Sequence, residues 1–267
     1  MSDLDDVRAD LRDEHGALGE LLTGLDAAAW HTPTASPGWD VADQVGHLAY
    51  FDHAAALAIT DPGQFAAHLD ALLVGAGEVG VDAFTLGPAR AMTPTELLGE
   101  WRVHRSALDL VATTLADGRR VPWYGPSMSA TSFLGARLME TWAHGTDVAE
   151  ALGLRYVATS RLRHVARLGF LTRAWSYTVR GDEPPKGTVR VDLTGPNGER
   201  WIFGELDAAD TVTGPARDFC LVVAQRRHLA DTALVAGELG RHWLERAQVF
   251  AGAPSDGPPP GGRRGPG

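Results

Sequence analysis

Apolar positions recur along the first 155 residues in four stretches with the period of a helix. Leu4, Val7, Leu11, Leu18, Leu22 and Leu25 follow one another at steps of three, four or seven, which puts them on one face of a bundle helix. A turn, Ser36-Pro37-Gly38-Trp39, precedes a second stretch through Val41, Val45, Leu48, Ala55 and Ile59, with Asp40 as its N-cap. The third stretch opens on Thr93, Pro94 and Glu96, the spacing of a capping box with proline at the first helical position, and carries Leu97, Trp101, His104, Leu108, Val111 and Leu115. A fourth runs from near Ser129 to Ala151, with Gly153 as its stop. The joining stretch from Pro62 to Arg90 is only loosely periodic, and its length points to a crossover or lid instead of a tight hairpin.

Beyond residue 155 the pattern changes. Leu162, Val165, Leu168 and Leu171 predict a helix that ends before Gly181-Asp182-Glu183-Pro184-Pro185. Val189 to Thr194 alternates with period two, Pro196-Asn197-Gly198 reads as a hairpin turn, Arg200 to Phe203 pairs back, and Thr211 to Gly214 supplies a third strand. Helices over about 216–227 and 238–250 follow. The expected architecture is an all-α four-helix bundle over residues 1–154 and a smaller α+β domain over 155–252. The Pro- and Gly-rich stretch 253–267 is expected to be a disordered tail.

Composition narrows the function. A net charge of −10 lacks the basic character of a nucleic-acid binder and argues equally against docking on an anionic membrane. No apolar run approaches the roughly 18 residues that span a bilayer, and the charged start, MSDLDDVRADLRDEHG, has no signal-peptide core, so a cytoplasmic location is expected. Cys220 is the single cysteine, which excludes an internal disulfide or a cysteine-rich metal site. It sits among Phe219, Leu221 and Val222 and reads as a buried packing residue. Any metal must be held by nitrogen and oxygen.

The fourth helical stretch contains Glu140-Thr-Trp-Ala-His144-Gly-Thr-Asp147. Residues four apart share a helix face, so Glu140 and His144 project together, with Arg137 before them and Asp147 after them on the same line. A bundle helix normally fills such a stripe with apolar side chains, because unpaired buried charge costs several kcal/mol. A bound metal removes that cost. His47, next to the apolar positions Val45 and Leu48 with Asp43 one turn earlier, could complete a His–Glu–His set from a facing helix. Such a set suits zinc or another divalent first-row metal and leaves a position open for water or substrate. On spacing alone a lone Glu-x-x-x-His is more often a solvated pair, and His15, His53, His68 and His104 compete as ligands.

The segment Trp30-His-Thr-Pro33 through Gly38-Trp39-Asp-Val41-Ala-Asp43-Gln-Val-Gly-His47-Leu48 resembles the entry to the second helix in the DinB-like superfamily. Within it, the chain is most similar to the mycothiol-dependent maleylpyruvate isomerase group of actinobacteria. The resemblance extends over nearly the whole chain up to the tail. It implies a zinc held at His47, Glu140 and His144, a functional aspartate at Asp147, and a sterol-carrier-like C-terminal domain with an active-site arginine on a helix. The stretch Thr213 to Arg227 resembles that helix, with Arg226, or else the adjacent Arg227, as the active-site arginine, and Arg227 also read as a substrate contact.

The expected chemistry is therefore metal-assisted use of a low-molecular-weight thiol such as mycothiol, for isomerisation or S-transfer on a small anionic electrophile. Asp147 would orient His144, relay a proton or grip an amine. Arg226 would pair with a carboxylate. Arg137 reads first as an ion-pair partner for a nearby acid and more weakly as a substrate contact. The rival readings are a hydrolase or lyase with metal-activated water and a non-catalytic binder of metal or small ligands.

Overall fold

Side-chain caps set where the long helices of the first region begin. The computed structural model describes residues 2–263 and divides into two compact units, residues 1–156 and the remainder. In the first unit, Ser2 and Asp5 form a capping box at the start of α1 (Asp3–Leu22), and a short α2 (Ala27–Trp30) follows. Asp40 and Asp43 form the same device at α3 (Val41–Thr60), entered through a turn in which Gly38 has φ +78°. That left-handed conformation is one a side chain resists. The stretch 62–90 is a helical pair, α4 (Pro62–Val79) and α5 (Val81–Arg90), joined at Gly80 with φ +89°. Thr93, Pro94 and Glu96 open α6 (Pro94–Ala112) as their spacing predicts. A two-stranded ribbon of β1 (Arg120–Val121) and β2 (Met128–Ser129) leads into α7 (Ala130–Ala151), capped by Ser129 and stopped before Gly153 at φ +66°.

The four long helices α1, α3, α6 and α7 pack on one another as a bundle. Leu18, Leu22, Trp30, Val41, Val45, Leu48, Leu97, Trp101 and Val148 form one buried cluster that draws on all of them. Burial of each large apolar side chain contributes about 1.5–3 kcal/mol against exposure, which holds the polar positions of α3 and α7 in register beneath it. α5 packs on α3: a Cβ added at Gly46 would meet Ala89 at 2.7 Å. The stripe expected to run to Leu25 leaves the helix at Leu22, where Thr23 caps it, although Leu25 still packs against the core.

In the second unit, α8 (Leu162–Leu171) and α9 (Arg173–Thr178) precede β3 (Val189–Thr194), β4 (Arg200–Phe203) and β5 (Asp210–Pro215). α10 (Ala216–Val223), β6 (Val235–Ala236) and α11 (Glu238–Leu244) complete it. The sheet order is β4-β3-β5-β6, with β3 parallel to β5 and the other neighbours antiparallel. β3 and β4 pair around the Asn197-Gly198 turn as expected, whereas the parallel β3–β5 pairing and β6 have no local signature.

Both C-terminal helices are shorter than expected. α10 ends at Val223 because Gln225 turns to φ +58° and the Arg226 amide returns to the Leu221 carbonyl at 2.7 Å, a left-handed cap. Residues 253–263, within the expected tail, run as a strap hydrogen-bonded to the rest of this unit. The Ser255 amide donates to Gln248 Oε1 at 3.2 Å, Gln225 Nε2 donates to the Ser255 carbonyl at 2.7 Å, and the Gly261 amide donates to Asp231 Oδ2 at 2.7 Å. Its composition supplies no apolar stripe, and side-chain amides and a carboxylate satisfy its backbone instead. Residues 264–267 lie outside the described residues.

Candidate metal centre

One helical turn on α7 aligns Glu140 with His144, and the face of α3 turned toward them carries His47. Glu140 Oε2 lies 3.0 Å from His144 Nε2 and 3.6 Å from His47 Nε2, and the two imidazole centroids are 4.4 Å apart. The three side chains offer ligand atoms that all lie within 4.8 Å of one another, and they are the one such group of three or more among the described residues. Tetrahedral ligands about 2.05 Å from a metal stand ~3.3 Å apart, so separations of 3.0 and 3.6 Å need only small side-chain adjustments. The nitrogen and carboxylate donors fit a divalent first-row ion. Burial alone would raise the Glu140 carboxyl; hydrogen bonds and charge from His144 and His47 outweigh it and hold the group well below the ordinary carboxylate value. Glu140 is therefore ionised and ready as a ligand.

The competing histidines are committed elsewhere. His15 Nδ1 is 3.1 Å from Asp109, His104 Nδ1 meets the Ala49 carbonyl at 3.0 Å, and His68 Nε2 meets the Tyr124 hydroxyl at 3.0 Å. His53 faces the His104 ring at 4.8 Å. Asp43 is likewise drawn away, taking a two-pronged ion pair from Arg90 at 2.8 and 2.9 Å.

Arg137 is 2% exposed, and its Nε and Nη2 donate to Oδ1 of the fully buried Asp52 at 3.2 and 2.9 Å. Trp101 Nε1 donates to the other oxygen of Asp52 at 3.1 Å. Arg137 thus makes an ion pair with a nearby acid, its guanidinium buried in the bundle. Asp147 is 0% exposed, so it is not a solvated helix-end residue.

Two contributors went unread in the sequence. Gln44, buried one turn before His47, places Oε1 at 2.5 Å from His144 Nδ1. Trp39 stacks on His144 at 6.1 Å and 19°, lies 5.3 Å from His47, and ties its indole N–H to Asp82 of α5 at 2.8 Å. A polar residue at a position one turn from a ligand was the available signal for Gln44. For Trp39 it was the Gly-Trp pair at the helix entry.

In the second unit, Arg226 and Arg227 sit in the turn after α10 and not on the helix, as the left-handed Gln225 requires. Arg226 is half-buried and Arg227 buried; Arg226 Nη1 donates to the Ala224 carbonyl at 2.8 Å and Arg227 Nη1 to the Arg226 carbonyl at 2.6 Å. Cys220 is fully buried, and burial pushes its thiol far above the usual range.

With this geometry in hand, the family described as the mycothiol maleylpyruvate isomerase N-terminal domain matches residues 11–149. The chain belongs to that family. The match takes in α3, α6 and α7, and with them all three ligand positions. The chain is 45% identical over 258 residues to an uncharacterized protein of Mycobacterium tuberculosis, recorded in strains CDC 1551 and H37Rv, covering 96% of this chain and 100% of the relative. The crystal structure of a mycothiol-dependent maleylpyruvate isomerase, and that of a histidine-to-alanine mutant of it, align with a TM-score of 0.57 at 16% identity. Each alignment covers 88% of this chain and 92% of the other, and at that identity it speaks to the fold. Among the described residues, no helix is long and apolar enough to cross a membrane.

Proposed function

We propose that this protein is a divalent-metal enzyme, with zinc as the resident ion, that uses a low-molecular-weight thiol such as mycothiol for isomerisation or S-transfer on a small electrophile. The observation that carries this reading is the convergence of His47 Nε2, Glu140 Oε2 and His144 Nε2 in a chain of this family. Three protein ligands leave room for a further one, and a bound divalent cation there would favour the deprotonated form of a coordinated thiol near neutral pH. The chain's own residues set the rest. Glu140 supplies a negative charge between two imidazoles, and Trp39 stacks on the His144 ring and lies tilted against that of His47. The chain's single cysteine is fully buried, with burial raising its thiol pKa, so it does not supply the thiolate. The thiol is therefore a cosubstrate. Asp147 is assigned the proton-handling role and Arg226, with Arg227 beside it, the grip on a substrate carboxylate. An anionic electrophile such as a cis-unsaturated keto acid fits that assignment.

The test is turnover of zinc-loaded protein on a small panel, a cis-unsaturated keto diacid and an alkylating bimane, with and without mycothiol. Product formation that needs both mycothiol and an intact His144 is the expected result. Product formed equally well without any thiol would move the assignment to metal-activated water and hydrolysis.

A further inference from the structure

Gln44 sits in the bundle core at 0% exposure, where each of its amide's donors and acceptors needs a partner. Its Nε2 faces Thr34 Oγ1 at 2.8 Å and Ser36 Oγ at 3.1 Å, and its Oε1 faces His144 Nδ1 at 2.5 Å. The hydroxyl network decides which end of such an amide is oxygen. Thr34 has one hydroxyl proton, and it is given to the Trp39 carbonyl at 3.0 Å. The remaining lone pairs of Thr34 Oγ1 accept, one of them from the Ser36 amide at 3.3 Å. A hydroxyl whose proton is already spent can only accept from Gln44, so the group turned toward it is the NH2 and the group turned toward His144 is the carbonyl oxygen. That oxygen cannot donate, and His144 Nδ1 must therefore carry a proton.

We infer that Gln44 is a positioning residue that locks His144 with its proton on Nδ1, so that Nε2 is the nitrogen presented to Glu140 and His47. The lock is keyed by the turn at 34–39. Thr34 fixes the amide's orientation, and Trp39 at the other end of the turn stacks on the His144 ring itself. One short segment thus sets both the proton placement and the plane of a ligand that lies more than 100 residues further along the chain. Metal-bound histidines take their orientation from a partner of this kind on the second nitrogen, and loss of that partner typically weakens binding about 10- to 100-fold.

The affinity consequence rests on the metal reading above; the proton placement does not, and two measurements separate them. In metal-free protein at about pH 8, nitrogen NMR of the His144 ring, assigned by its loss in His144→Ala, should show Nδ1 protonated in the wild type. In Gln44→Leu, with no acceptor left at Nδ1, the proton should move to Nε2, where the Glu140 carboxylate accepts at 3.0 Å. In zinc competition against a chromophoric chelator, Gln44→Leu should bind about 10- to 100-fold more weakly. Gln44→Glu, which keeps an oxygen toward Nδ1 and can take the Ser36 hydroxyl proton at its other oxygen, should stay within a few-fold of wild type. Circular dichroism confirms that each variant is folded. An unprotonated Nδ1 in the wild type overturns the inference, as does an equal loss of affinity in the Leu and Glu variants. A wild type that binds no zinc yet shows Nδ1 protonated would retire the metal reading and leave the lock standing.

Discussion

Replacing Arg137 with methionine removes one half of a buried ion pair while keeping the length and apolar stem of the side chain. Arg137 lies one turn before Glu140 on α7, and Asp52 lies one turn and a half beyond His47 on α3, so the pair bolts together the two helices that carry the ligands. Asp52 would keep the Trp101 indole N–H at 3.1 Å and His15 at 3.7 Å, but lose both guanidinium bonds at 2.9 and 3.2 Å. A carboxylate at 0% exposure with its cation deleted costs about 3–5 kcal/mol. That is a large share of the about 5–15 kcal/mol that keeps a domain folded. With an m-value of about 2–3 kcal/mol per molar urea, the unfolding midpoint should fall by about 1–2.5 M, read by far-ultraviolet circular dichroism. The double variant Asp52→Leu with Arg137→Met should regain much of that loss, because it leaves no buried charge without a partner. A single variant within about 1 kcal/mol of wild type would refute the reasoning. So would a double variant as unstable as the sum of the two single ones.

Other predictions follow from groups around the bundle. His53 is held below its ordinary value by burial and then by His104, and His68 by burial and then by His53. Both are neutral in either state above about pH 6.5, but below it the unfolded chain takes up protons that the folded chain resists, so stability should fall as pH drops from there. Urea midpoints at three pH values should show a shallower fall in His53→Gln/His68→Gln than in wild type; parallel slopes would count against the assignment. Cys220 should stay unmodified by a disulfide-exchange reagent until the chain unfolds, because its buried Sγ lies 3.6 Å from the Leu162 carbonyl; one equivalent of rapid reaction in native protein would contradict this. Gly145→Val should destabilise the first unit, since a Cβ at that position would meet the Tyr156 ring at 2.7 Å and Tyr156 is anchored by its hydroxyl to Glu14 at 2.8 Å. A thermal midpoint unchanged from wild type would show that the ring can move aside.

The sequence revealed those parts of the fold whose signals are local. The capping residues at Asp40 and Thr93 and the cap at Ser129 mark helix starts by hydrogen bonds to neighbours three residues away, and all three stand where their spacing places them. Glu140 and His144 were legible for the same reason, being one turn apart on one helix. His47 was legible through its Gly-Trp turn. The α4–α5 pair was not, because only Phe65, Leu72, Thr85 and Leu86 are buried in it while Leu73, Val74, Val79 and Val81 stay more than half exposed. Apolar residues on both faces erase the stripe that periodicity detects. The parallel β3–β5 ladder depends on a partner beyond an intervening hairpin, which no window of local sequence contains. Gln44 was hidden by its type: glutamine reads as a surface residue, and its burial makes sense only once His144, from a distant helix, is set against it.

The central claim is the metal centre, and elemental analysis tests it most directly. Wild-type protein, His47→Ala, Glu140→Gln and His144→Ala would be purified side by side without added metal, then again after incubation with zinc and removal of the excess. Near-stoichiometric divalent metal in the wild type, lost from all three variants while their helical content is unchanged, is the predicted result. Wild-type protein that carries no metal and takes up none on reconstitution would contradict the account.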